Sequence, residues 1–187
     1  DSVWVARDSS NRSEYLGLAE SPAGDFVTVG RLYVDTITGY DGYMSAVDGM
    51  TGLISARHYY GTTGIYDDLR DIRTLSNGYL VGGNYSAPSA PGYGNREWVF
   101  HLSPSWVQSD VTFHDNFVMQ RNLRSIVPLT ATGEDWASVS HHAFFYKQDV
   151  LFIKHHRRGK EFQLSEFPMD YQLYPRDSTN HGNVIFY

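Results

Sequence analysis

The stretch that decides the fold reads DGYMSAVDGMTGLISARHYYG over residues 41–61, DDLRDIRTL over 67–75 and YLVGGNYS over 79–86. Its runs of aromatic and branched aliphatic residues favour β-strands. Turn-forming residues interrupt those runs at Asp48-Gly49 and at Ser76-Asn77-Gly78. The stretch therefore predicts a strand, a turn and a second strand, followed by a second hairpin.

The same order of strands and turns recurs along the chain. A strand that runs into a polar turn appears as SVWVARDSS (2–10), GYMSAVDGM (42–50), EWVFHLSPS (97–105) and DVLFIKHHR (149–157). A second kind of strand, followed by a turn and another apolar strand, is anchored by Leu18, Ile72, Ile126 and Leu173. Repeats of roughly 40–50 residues indicate propellers or solenoids. Four such units account for nearly the whole chain.

The two ends of the chain predict how the repeat closes. The last strand, NVIFY (183–187), stops where a strand of the SVWVARDSS type would come next, and the chain begins with that strand. We therefore predict an all-β, four-bladed β-propeller, one domain over residues 1–187, whose N-terminal strand closes the last blade. Closure removes sheet edges that would otherwise aggregate. The alternative prediction is an irregular β-sandwich.

The run from Tyr43 to Ser86 resembles the repeats of secreted bacterial β-propeller proteins. Those repeats combine a Lys-Leu-Asp turn, a Trp-centred strand ending Tyr-Gly-Gly, and a Ser-Asp-Gly-Gly-Tyr-Ile-Val-Ala-Gly strand pair. Here Val47-Asp48, Tyr60-Gly61 and SNGYLVGG (76–83) stand in those places, and the other three units match less closely. The resemblance implies a propeller in an extracellular setting and implies no activity. Four-bladed closure also resembles hemopexin-like domains, whose terminal Cys pair is missing here.

Composition excludes several classes of protein. With 41% hydrophobic residues and a net charge of −6, the chain is globular rather than disordered. No run approaches the roughly 18 apolar residues that a membrane helix needs, so we predict no membrane insertion. The acidic balance argues against nucleic-acid binding. The chain has no Cys, which excludes a disulfide scaffold, a thiolate nucleophile and a Cys-ligated metal.

Histidine and tyrosine offer acid–base chemistry without a recognisable catalytic motif. No GxSxG, P-loop or HExxH spacing is present. His with Tyr is the equipment of uronate-polysaccharide lyases, in which one group removes the C5 proton, another protonates the leaving oxygen, and Arg or His neutralises the carboxylate. The candidate catalytic residues, chosen near predicted strand ends, are His58, Tyr60, His114, Arg124, His141 and His142.

Tyrosines near loops and a basic segment indicate a binding surface. Aromatic rings stack on sugars. Residues 121–160 hold seven Lys or Arg against three Asp or Glu. The turn predicted at residues 155–160 of this segment suits a carboxylated or sulfated polymer. The candidate ligand-binding residues are Tyr59, Tyr66, Tyr85, Tyr93, His155, His156, Arg157, Arg158 and Lys160.

A partly acidic ring is predicted around the central channel. The residues about four positions before the anchors are Glu14, Asp68, Asn122 and, at the last anchor, Asp170 beside Met169. Carboxylates and carbonyls bind hard cations, so this ring is a candidate Ca²⁺ site, although no cofactor is required. The alternative is that these side chains cap strand ends and bind water.

These observations favour a secreted, lectin-like propeller module that binds a carbohydrate or another anionic polymer. One alternative is a small carbohydrate-active enzyme, a polysaccharide lyase or glycoside hydrolase that uses His and Tyr near the channel mouth. A second alternative is a structural or adhesive subunit that forms a homo-oligomer. A chain that begins at Asp1 without an apolar leader is expected of a processed secreted protein, and equally of an excised domain.

Overall fold

The computed structural model of the chain describes residues 12–35, 39–61, 66–86, 95–114, 120–144, 147–157 and 160–166, and these residues form β-strands joined by turns. The strands are β1 (Ser13–Glu20), β2 (Phe26–Asp35), β3 (Gly39–Val47), β4 (Ile54–Tyr60), β5 (Asp67–Leu75), β6 (Gly78–Ser86), β7 (Asn95–Leu102), β8 (Gln108–His114), β9 (Gln120–Pro128), β10 (Asp135–Phe144), β11 (Lys147–Arg157) and β12 (Lys160–Glu166). The described part contains no helix that is long and apolar enough to cross a membrane.

The strands form three four-stranded antiparallel sheets, each built from four consecutive strands. Sheet 1 contains β1 to β4, sheet 2 contains β5 to β8, and sheet 3 contains β9 to β12. The predicted all-β class is confirmed, and the predicted turns at Asp48-Gly49 and Ser76-Asn77 separate strands as expected. The described strands do not close into a ring. The predicted fourth unit, residues 171–187 with 2–10, lies outside the described residues.

The first strand of every sheet carries a bulge at the same position. The pairing of β1 with β2 skips Leu16, that of β5 with β6 skips Arg70, and that of β9 with β10 skips Arg124. These residues are spaced 54 apart in sequence. Bulges re-aim the side chains that follow them. The shared bulge shows that the three sheets are repeats of one structural unit.

The sheets pack face to face in chain order. One core lies between sheets 1 and 2 and includes Val29 and Met44 against Ile72 and Phe100. A second core lies between sheets 2 and 3, and its members are Leu75, Leu80, Val99, Leu123, Ile126 and Trp136. Successive side chains on a strand point to opposite faces, so sheet 2 sends alternate residues into each core.

Polar side chains join sheets 2 and 3 across the second core. Asp71 accepts hydrogen bonds through Oδ2 from the backbone N–H of Ile126 (2.9 Å) and from Ser125 Oγ (2.7 Å). Arg73 donates to the Ile126 carbonyl (3.0 Å), and Asn84 Oδ1 accepts from the Leu123 N–H (2.8 Å). These bonds satisfy backbone groups of β9 and fix its position along sheet 2.

Two details of the sequence prediction are wrong. The basic turn predicted around residues 155–160 is shorter than expected. His155, His156 and Arg157 belong to β11 and Lys160 begins β12, so two residues separate the strands. Arg124, chosen as lying near a strand end, lies in the middle of β9 at its bulge. In both places β-pairing continues through a polar segment, because backbone hydrogen bonding in a ladder does not require apolar side chains.

We expect Asp71→Asn to lower the free energy of unfolding by about 2–4 kcal/mol, because Asn offers one acceptor oxygen in place of two. Either the buried N–H of Ile126 or that of Ile72 therefore loses its acceptor. Glu14→Gln is the matched control, since Glu14 pairs with Arg31 (2.6 Å) at half-exposed side chains and such pairs contribute under about 1 kcal/mol. Urea denaturation of both variants measures the difference. Equal losses would show that Asp71 does not hold the sheets together.

Candidate functional site

An aromatic groove of about 500 Å³ opens between β4 of sheet 1 and the facing side of sheet 2. It lies beside Tyr60 and Trp98, which belong to the core between sheets 1 and 2. The lining residues are His58, Tyr59, Tyr60, Gly61, Tyr85, Trp98, Trp106, Gln108 and Val111. We call it the aromatic groove.

Strand alternation decides which side chains of β4 face the groove. His58 pairs with Met44, a residue of the core between sheets 1 and 2, so His58 and Tyr60 point toward sheet 2. Tyr59 points to the other face of sheet 1, where its ring packs on Tyr43 with 5.5 Å between centroids. Tyr59 therefore borders the groove, but its ring belongs to the opposite face.

The rings of the groove form a continuous packed set. His58 lies on Tyr60 with 4.6 Å between ring centroids, and Tyr60 lies 5.4 Å from Phe100. Trp98 contacts Phe100 at 4.7 Å and Tyr85 at 6.0 Å. Aromatic pairs at these separations add roughly 0.5–1.5 kcal/mol each beyond burial. The groove therefore has a wall of rings whose positions are set by the core.

Tyr60 links the core to the groove. Its side chain is buried, and its hydroxyl donates a hydrogen bond to the Trp106 carbonyl at 3.3 Å. Burial raises the pKa of Tyr60 well above the usual tyrosine value. The phenol is therefore neutral and acts as a donor at neutral pH, which makes it a poor base.

Trp106 adopts a backbone conformation that is unfavourable for its residue type. It adopts φ of +66°, a left-handed conformation that costs an L-residue roughly 1–2 kcal/mol. Ser21–Gly24 and Thr130–Gly133 form turns with the same hydrogen bond from the fourth residue to the first, and their fourth residue is glycine with positive φ. Trp106 takes the glycine position in the turn Ser103–Trp106. Strained residues of this kind concentrate at functional sites.

The groove brings together part of the predicted site. His58, Tyr59, Tyr60 and Tyr85 line it. Tyr66, also predicted to bind ligand, packs instead on Tyr40 with 5.8 Å between centroids.

The other predicted site residues lie elsewhere or outside the described residues. His114 ends β8. Sheet 3 carries Arg124, His141, His142, His155, His156, Arg157 and Lys160. The residues Tyr93, Arg158 and Asp170 lie outside the described part of the chain.

The predicted cation ligands occupy equivalent positions, two residues before the bulge in β1, β5 and β9. Glu14 pairs with Arg31 at 2.6 Å, and Asp68 pairs with Arg70 at 2.5 Å and accepts from Asn84 Nδ2 at 2.8 Å. Asn122 is half-buried on β9. Among the described residues, no group of three His, Asp or Glu side chains is arranged to hold a metal ion. The Ca²⁺ site stays a prediction.

Sequence reasoning missed Trp98, Trp106, Gln108 and Val111 as groove residues. The segment SPSW (103–106) lies between two apolar strands. A Trp at the end of a turn is the one feature of this segment that indicates a groove residue. Its left-handed backbone could not be deduced from the residue type, because Trp avoids that conformation.

The chain matches no protein-family model and no curated protein. Its function is therefore inferred from the chemistry of the aromatic groove.

We expect Trp106→Gly to change the free energy of unfolding by less than about 1.5 kcal/mol, since glycine relieves the left-handed strain while the loss of a half-buried indole costs a similar amount. Trp98→Ala serves as the comparison, because Trp98 is 5% exposed and removal of a buried Trp costs about 3–5 kcal/mol. Urea denaturation followed by circular dichroism measures both. A Trp106→Gly variant as unstable as Trp98→Ala would mean that Trp106 is a core residue.

Proposed function

We propose that this protein is a secreted β-propeller module that binds a glycan in the aromatic groove. The observation that carries the proposal is the groove itself, an open site in which Tyr85 and Trp106 are half-buried, His58 is exposed, and all three rings are held by packing. Carbohydrate sites combine ring faces for stacking with a few fixed polar groups. The resemblance of residues 43–86 to secreted bacterial propeller repeats supports the extracellular setting.

The chemistry of the groove favours binding over turnover. Glycoside hydrolysis uses two carboxyl groups, and no Asp or Glu is among the described lining residues. A lyase needs a base that is deprotonated near neutral pH, whereas burial raises the pKa of Tyr60. His58 and Tyr60 also lie on β4, the strand of sheet 1 farthest from β1 in the strand order. Saturable binding without product is the expected behaviour.

The proposal includes closure into four blades, because no other described sheet covers either end of the three-sheet array. The first strand of each sheet carries an apolar side chain two residues after its bulge. In β5 and β9 this residue is Ile72 or Ile126, which packs against the preceding sheet and is 1% or 0% exposed. Leu18 occupies the same position in β1 and is 61% exposed. At the other end Val127, which points away from sheet 2, is 47% exposed. A fourth blade from residues 171–187 and 2–10 would cover both faces.

We expect Leu18→Asp to lower the free energy of unfolding by about 3 kcal/mol or more, because a fourth blade would bury the new carboxylate in an apolar interface. Met50→Asp is the matched control: Met50 lies in the β3–β4 turn and is 90% exposed, so its change should stay within about 0.5 kcal/mol. Chemical denaturation gives both values.

Sedimentation of the wild type and of Leu18→Asp separates the ways in which Leu18 could be covered. A monomeric wild type together with a strongly destabilised variant supports closure within one chain. A dimer that Leu18→Asp dissociates would mean that a second copy covers this face, as in the predicted homo-oligomer. Equal stability of Leu18→Asp and Met50→Asp would overturn closure.

We expect Tyr85→Ala to weaken glycan binding about tenfold through the loss of one stacking surface. Tyr66→Ala should change it less than about twofold, because the Tyr66 ring packs on Tyr40 outside the groove. Calorimetry with a panel of soluble polysaccharides measures binding, and melting temperatures establish that both variants are folded. Glycan binding that is equally sensitive to the two substitutions would place the site elsewhere, and a wild type that binds no polysaccharide would refute the proposed function.

A further inference from the structure

His58 and Gln108 bring an imidazole and an amide to the aromatic groove from different sheets. His58 lies on β4 of sheet 1, and Gln108 begins β8 of sheet 2. Both are exposed, and within the described residues no side-chain hydrogen bond engages the His58 imidazole or the Gln108 amide. Packing alone positions the imidazole, on Tyr60 and edge-on to Trp106 at 6.5 Å. Both groups are therefore available to hydrogen-bond a ligand.

The described part of the groove wall carries no Lys or Arg that could balance an anion. None of the described lining residues is Lys, Arg, Asp or Glu. A carboxylate or sulfate that entered between Trp106 and Tyr85 would lose water without gaining a cation, and that desolvation is unfavourable. A sugar hydroxyl needs only donors and acceptors of the kind that His58 and Gln108 supply.

The backbone of Trp106 indicates that this indole is placed for contact with a ligand. The equivalent turns use Gly24 and Gly133 in the left-handed position, and only this turn places a large aromatic ring there among the described residues. The ring projects beside His58, and the Tyr60 hydroxyl holds its carbonyl. A flat, rigid apolar surface with hydrogen-bonding groups beside it matches the apolar face and hydroxyls of a pyranose ring.

We propose that the aromatic groove selects an uncharged pyranose of a neutral glycan, stacked on Trp106 and hydrogen-bonded by His58 and Gln108, and that it rejects uronate and sulfated chains. This inference rests on the proposed glycan-binding function and narrows its ligand from carbohydrate or anionic polymer to uncharged sugar. It identifies Gln108 as the residue of the sheet 2 wall at which this selection can be changed, because its side chain is an exposed amide that lines the groove.

The test is calorimetry at physiological ionic strength with a neutral glucan, a neutral galactomannan, polygalacturonate, alginate and heparin. We expect at least one neutral polymer to bind about tenfold or more tightly than every anionic polymer. Tighter binding of an anionic polymer through the groove would overturn the inference and leave glycan binding intact. Failure of all five to bind would overturn the proposed function itself.

A charge placed on the groove wall makes the test specific to this site. Gln108→Arg should raise polygalacturonate affinity about fivefold or more and lower neutral-glycan affinity, since a guanidinium pairs with carboxylates. Ser109→Arg adds the same charge to the next residue of β8, which pairs with His101 on the face away from the groove, and should change neither.

His58→Ala gives a second measurement that does not depend on the arginine variants. It should weaken neutral-glycan binding about fivefold or more by removing one hydrogen-bonding group, with the melting temperature as the check on folding. Equal effects of Gln108→Arg and Ser109→Arg, or unchanged neutral-glycan binding in His58→Ala, would overturn the assignment of these residues.

Discussion

Sheet 2 is apolar on both faces, and the rest of the structure depends on covering them. Tyr79 and Val81 of β6 enter the core shared with sheet 1, while Leu80 between them enters the core shared with sheet 3. A strand with this pattern cannot lie at a water-exposed surface without losing the free energy of burial, about 25 cal/mol per Å² of apolar area. Sheets 1 and 3 are therefore held in place by the two faces of one central sheet.

The interface of sheet 2 with sheet 3 contains more polar contacts than its interface with sheet 1. The residue that follows the bulge in the first strand of each sheet shows this difference. Sheet 2 has Asp71 there, which bonds to β9, whereas sheet 1 has Gly17 at the equivalent position. A Cβ on Gly17 would meet the Arg70 carbonyl and the Asp71 Cα, so its absence lets β5 approach β1 closely. Glu97, fully buried, accepts hydrogen bonds from Ser138 and Ser140 of sheet 3. Satisfied buried polar groups specify one alignment of the sheets.

The aromatic groove follows from the less polar of these interfaces. Sheets 1 and 2 meet through large rings, among them Tyr60, Trp98 and Phe100. Beyond Tyr60 these rings leave a space that Trp106 and Gln108 border on the far side. The groove therefore takes its lining from two repeats, and neither repeat alone carries all of its residues.

The sequence by itself determined the all-β class, the turns at Asp48-Gly49 and Ser76-Asn77 and the equivalence of Glu14, Asp68 and Asn122, because strand alternation and turn chemistry are local and repeat along the chain. It also marked His58, Tyr60 and Tyr85 as residues of interest. Only the tertiary structure decided that these side chains share a groove with Trp98, Trp106 and Gln108, and that Tyr66 is not among them. Which faces meet depends on how one sheet packs on the next, and that packing joins residues about 50 positions apart whose proximity no local pattern encodes.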